Sequence, residues 1–153
     1  MPQEAYLIRP RISFGVIAIF ILAFAISGCS IKLISSYDET TDQAVTALQK
    51  KTEAHLVALE SVENLPECEY KRHKQFYDEA KVDVSAIAVR AAAVPKNEIT
   101  TKQADLLSNS LDNLERLHKI SCLTKDQIDP LRTQFNSSFT AILKLELAKR
   151  RGE

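Results

Sequence analysis

From residue 36 onward, apolar residues return every three or four positions, the period of a helix face turned toward a core. Short breaks divide this pattern into four stretches. The first predicted helix starts at the capping pattern Ser36-Tyr37-Asp38-Glu39 and runs to about Glu63, with a stripe of Val45, Leu48, His55 and Leu56, Leu59 and Val62; Thr41 and Thr52 are weaker members. Asn64-Leu65-Pro66 interrupts it, and proline suits the first turn of a new helix. The second stripe is the most regular: Tyr70, His73, Tyr77, Ala80, Val84, Ile87, Ala91 and Val94, ended by Pro95. Its later half, VSAIAVRAAAV, is rich in small residues that let a neighbour come close. Thr100-Thr101-Lys102-Gln103 predicts the start of a third helix reaching about Ser121, with Leu107, Leu111, Leu114 and His118 inward and Leu106, Leu117 and Ile120 flanking. Thr124-Lys125-Asp126-Gln127 repeats the device. Because Pro130 follows, the expectation is a short initial turn and a proper start at Asp129-Pro130, with Phe135, Phe139, Ile142 and Leu143 facing inward. Four helices with short links predict an all-α, antiparallel up-down-up-down bundle.

Glycine usage agrees. The 153-residue chain has three glycines, at 15, 28 and 152, so the tight turns of a sheet protein would lack their usual residue. Lysine and arginine number 20, as do aspartate and glutamate. A chain of zero net charge with both signs interspersed lacks the basic footprint of a nucleic-acid binder.

The amino-terminal part reads differently. Arg9 and Arg11 precede an uncharged run, Ile12–Ile26, ISFGVIAIFILAFAI. About fifteen residues make roughly 22 Å of helix, short for a bilayer span and suited to the apolar segment of an export signal. Ile26-Ser27-Gly28-Cys29 follows. This motif resembles the bacterial lipobox: an aliphatic residue, two small residues and a cysteine. The resemblance implies that Cys29 receives diacylglycerol, that the signal is cut before it, and that acyl chains hold the chain at a bilayer, each buried methylene contributing about 0.8 kcal/mol. The competing reading is an uncleaved anchor from Ile12 to about Ile31. By resemblance to Gram-negative lipoproteins, Ser30 in place of aspartate implies the outer membrane. The expected organisation is a signal peptide over 1–28, a lipidated tether over 29–36 and a helical domain over 37–153.

Cys68 and Cys122 are expected at the same end of the bundle, at the start of the second helix and the end of the third. In an exported chain such a pair predicts a disulfide. The alternative is a zinc site of Cys68, His73, His118 and Cys122, in which the five-residue step from Cys68 to His73 fits one helix face poorly. His55, His73 and His118 all fall on apolar stripes, where a histidine is usually a hydrogen-bonded core residue. No nucleophile–base constellation, haem motif or phosphate-binding glycine loop is legible, so the reading is non-enzymatic and without cofactor.

The stretches SSYDETTDQAVTALQKK, FYDEAKVDVSAIAVRAAAVPKNEIT and FNSSFTAILKLELAKRRG resemble a recurring group of small, uncharacterised bacterial lipoproteins. That resemblance implies an address and a helical fold, and no catalytic residues or ligand. The expected role is a structural or protein-interaction module of the cell envelope, bound to the bilayer through Cys29 and meeting an envelope protein partner. The alternative is a small-ligand or metal sensor with a cavity lined by Tyr70, His73, Tyr77 and His118. Up-down order would gather Lys96, Lys102, Lys149, Arg150 and Arg151 at the membrane-facing end.

Overall fold

The chain divides into two units, Met1–Lys32 and Leu33–Glu153; the computed structural model describes residues 34–152, within the second. The apolar run and the residues Ile26, Ser27, Gly28 and Cys29 lie outside the described residues.

Four helices form the domain: α1 (Glu39–Ser61), α2 (Tyr70–Ala93), α3 (Glu98–Ile120) and α4 (Lys125–Arg151), with a 3-10 turn at Pro66–Cys68. Among the described residues there is no β-strand. Each helix packs on its neighbours in chain order, and α4 returns onto α1. The result is the predicted antiparallel four-helix bundle. No helix among the described residues is long and apolar enough to cross a membrane.

The stripes become the core. Val45, Leu48, Leu56 and Leu59 of α1 meet Tyr77, Ala80, Val84 and Ile87 of α2, Ala104, Leu107, Leu111 and Leu114 of α3, and Ile128, Phe135, Phe139 and Ile142 of α4. Burying each large apolar side chain contributes about 1.5–3 kcal/mol. The α2–α3 pair is the most extensive, as Ala80, Ala88, Ala91 and Ala104 along these helices allow. The flanking residues Leu106, Leu117 and Ile120 remain exposed.

The helix ends depart from expectation, and each departure has a cause. The α1 cap is Asp38, whose carboxylate accepts from the Thr40 amide at 3.3 Å; Ser36 lies two residues outside. Asp38 is drawn to this place by Thr41 and Arg90, both bonded to the same carboxylate. Pro66 opens the 3-10 turn, and α2 starts at Tyr70, so Cys68 stands just before the helix. α3 begins at Glu98, before the expected Thr100, because the Thr100 hydroxyl is bonded to Glu146 across the bundle. The Thr124–Gln127 capping box forms, with the Gln127 side chain accepting from the Thr124 amide at 3.0 Å. It supports one continuous helix from Lys125, and Pro130 sits within α4 and does not begin it. A proline there omits one amide donor near the helix start.

Candidate functional site

Chain reversal produces two poles of different chemistry. One holds the start of α1, the α2–α3 turn and the end of α4. Here Ser35 is buried and docked: its amide donates to the Lys96 carbonyl at 3.0 Å and its hydroxyl to Asn97 Oδ1 at 3.0 Å. The docked chain thus begins two residues before the expected boundary at 37. Lys96 adopts φ 62°, a left-handed conformation uncommon for a residue with a side chain. Asn97 also donates from Nδ2 to the Ala91 carbonyl at 3.0 Å, closing the turn onto α2.

Beneath this turn lies an ion pair that the helical pattern alone did not suggest. Glu146 is fully buried and Lys149 is 4% exposed. The Lys149 ammonium donates to Glu146 Oε1 at 2.5 Å, Asn97 Oδ1 at 2.5 Å and Thr100 Oγ1 at 2.9 Å, which uses all three of its hydrogens. Glu146 also accepts from Thr100 and from the Asp38 amide. Asp38 in turn takes a two-point bond from Arg90 at 2.6 and 2.7 Å. That guanidinium holds the Asp38 carboxyl well below the usual range, at about 2. Every helix contributes to this network.

The expectation for the basic residues is therefore corrected at Lys149, which points into the bundle and is neutralised there. Lys96, Lys102, Arg150 and Arg151 are exposed at this pole. Arg150 lies over the Tyr37 ring at 5.5 Å. Glu98 stands among them, so the pole is mixed in charge.

At the other pole Cys68 and Cys122 are bonded, with Cα atoms 5.4 Å apart. Their sulfurs are joined to each other, which removes them from the zinc alternative. Among the described residues no group of three or more His, Cys, Asp and Glu is placed to hold a metal. Beside the disulfide the His118 Nε2–H donates to the Cys68 carbonyl at 2.6 Å, which leaves Nδ1 to accept from the Tyr77 hydroxyl at 2.7 Å. Tyr77 accepts in turn from His55 Nε2 at 3.3 Å. His55 stacks on Phe76 with ring centroids 3.7 Å apart. His73 lies at the edge, donating to the Glu67 carbonyl at 3.0 Å. Burial, and then the other two histidines, push His55 down to about 3; burial also lowers His118 and raises the Tyr77 hydroxyl. Glu115 is 6% exposed. Burial pushes its carboxyl up, but bonds from Lys81, Tyr70 and Lys119 outweigh this and hold it at about 2.

The residues named for an internal cavity do come together, but ring against ring. Tyr77 and His118 centroids are 5.7 Å apart, and His73 and His118 5.4 Å. The shallow surface depression along α4 lined by Thr133, Ser137, Thr140 and Lys144 shares no residue with the cluster. Among the described residues every buried side-chain nitrogen and oxygen has a partner.

Fold and site together define a disulfide-stapled, antiparallel four-helix bundle with a buried polar lock at the opposite end. No protein-family model, curated protein or solved structure matches the chain.

Proposed function

We propose that this chain is an envelope lipoprotein, held to a bilayer by acylated Cys29 and acting as a non-enzymatic structural or protein-interaction module. The observation that carries the reading is the sequence Ile26-Ser27-Gly28-Cys29 at the end of an uncharged run, six residues before the chain docks at Ser35. The bonded Cys68–Cys122 pair supports it, because disulfides persist in oxidising compartments outside the cytosol. The absence of aspartate at position 30 favours the outer membrane of a Gram-negative host, with the domain facing the periplasm.

The docked Ser35 gives the anchor a mechanical consequence. With six residues of chain from Cys29 to Ser35, an acylated Cys29 would keep the α2–α3 turn within about 20 Å of the lipid. A partner then has the flanks and the far pole to bind. The outer face of α2 offers an uncharged strip there: Val82 and Val89 are each 68% exposed, and Ala86 and Ala93 are exposed on the same face. Lysates of cells fed labelled fatty acid test the anchor. The wild-type chain should take up label and migrate as the mature form; Cys29→Ser should take up none and accumulate as the longer precursor. Label in the Cys29→Ser chain overturns the proposal.

A further inference from the structure

We infer that the cluster of His55, Tyr77 and His118, with His73 at its edge, is an acid-sensitive latch that releases the end of α1 from the disulfide-stapled α2–α3 pair. The observation behind it is a division of labour between covalent and hydrogen bonds. The Cys68–Cys122 bond ties the start of α2 to the end of α3. Tyr77 and His118 lie on those two helices, which the disulfide ties together at this pole. His55 lies on α1, and it reaches the stapled pair through one hydrogen bond to Tyr77 and one stack on Phe76.

The bonding pattern of the cluster requires a neutral ring at His118. His118 donates from Nε2 and accepts at Nδ1, so a further proton at Nδ1 would reverse the bond to Tyr77. The Tyr77 oxygen would then face two donors, and its own proton would have no acceptor within the cluster. A proton on any of the histidines also places a cation close to two other rings: the centroids of His55 and His73 are 5.3 Å apart, His73 and His118 5.4 Å, and His55 and His118 6.3 Å.

The groups acting on this cluster can be named element by element. α1 supplies His55; the 3-10 turn supplies the Glu67 and Cys68 carbonyls. α2 supplies Tyr70, His73 and Tyr77, and α3 supplies Glu115, His118 and Lys119, the last two of these three being basic groups. Glu115 is the nearby anion, and Lys81, Lys119 and Tyr70 already engage it. None of the interactions that shift His55, Tyr77 or His118 comes from α4. So engaged, Glu115 makes no hydrogen bond to an imidazole of the cluster.

Because His55 titrates at about 3 in the closed bundle and at about 6.5 once exposed, closure is fully favoured above about pH 6.5 and weakens as pH falls toward 3. At about pH 5 the open-to-closed ratio rises about 30-fold through His55 alone. The lock at the other pole contains no histidine. The ion pair of Lys51 with Asp83 still holds the middle of α1 on α2, and Arg132 and Lys125 keep Glu60 on α4, so what comes free is the contact of the α1 end with the stapled α2–α3 pair.

Hydrogen exchange of the full chain in mild detergent, corrected for intrinsic rates, tests this. Between about pH 7.5 and 5, amides over residues 53–66 should accelerate by about 30-fold, while those over 35–45 and 97–104 keep their protection. His55→Phe retains the stack on Phe76 without the titrating group, and it should lose most of the difference. Equal acceleration at both poles, no acceleration, or a full difference in His55→Phe overturns the inference. A chain that does not tolerate phenylalanine leaves the wild-type ring resonances: His55 neutral at about pH 5 supports the latch, and His55 titrating near 6.5 refutes it.

Discussion

Replacing Lys149 with methionine keeps an unbranched side chain, one atom shorter, and removes its charge. In the wild-type bundle this ammonium makes three hydrogen bonds, to Glu146, Asn97 and Thr100, in a site from which water is excluded. The variant leaves the Glu146 carboxylate fully buried with only the Thr100 hydroxyl and the Asp38 amide as donors. Breaking a buried pair from one side typically costs about 3–5 kcal/mol. For a domain of this size that is a fall in melting temperature of roughly 12–20 °C. Glu146→Gln in the Lys149→Met background removes the orphaned charge, and the double variant should recover most of the loss, since replacing both members of a buried pair is often close to neutral. Urea unfolding of the domain from residue 30 onward, followed by helical circular dichroism, measures all three forms. A Lys149→Met variant within about 1 kcal/mol of wild type, or a double variant no more stable than the single one, would refute the lock as described.

Other expectations concern the opposite pole and the orientation of the bundle. Cys68→Ser with Cys122→Ser opens a crosslink spanning 54 residues of sequence, which should lower stability by about 4 kcal/mol in the chain-entropy model; calorimetry showing no change would mean the bond is absent in solution. Tyr77→Phe strands the His118 Nδ1 acceptor and removes the His55 contact, and chemical denaturation should register a loss of about 1–3 kcal/mol. In reconstituted acylated protein, a spin label at Glu98 should be relaxed by a membrane-soluble agent more strongly than one at Glu67, roughly 35 Å away along a 23-residue helix. Equal relaxation would reject a bundle standing on its tether.

Much of this architecture is legible in the residue pattern, because burial on a helix follows its period. Tyr77, Ala80, Val84, Ile87 and Ala91 are all buried, as are Leu107, Leu111, Leu114 and His118. The cysteines are legible too, since up-down order carries positions 68 and 122 to one end. Polar residues that do core work were harder to see. Glu146 and Lys149 continue the phase of Phe135, Phe139 and Ile142, and that phase was the available signal; a lysine in a last turn also satisfies the helix dipole, and the two roles look alike in one dimension. Caps were misplaced for a related reason. Ser36-x-x-Glu39 and Thr100-x-x-Gln103 have the local pattern, but Asp38 is held by Arg90 and Thr100 by Glu146. Such tertiary bonds join residues more than 40 positions apart, and no local window contains them. The docking of Ser35 on the Lys96 carbonyl was invisible on the same grounds.

The central claim is that the bundle hangs from a lipid-modified cysteine, and the most direct measurement of it is the mass of the amino-terminal peptide of the mature protein purified from membranes. The account predicts that this peptide begins at Cys29 and carries a thioether-linked diacylglycerol, usually with an acyl group on the new amino terminus. A mature chain that begins at any other residue, or a Cys29 with an unmodified thiol, would contradict it.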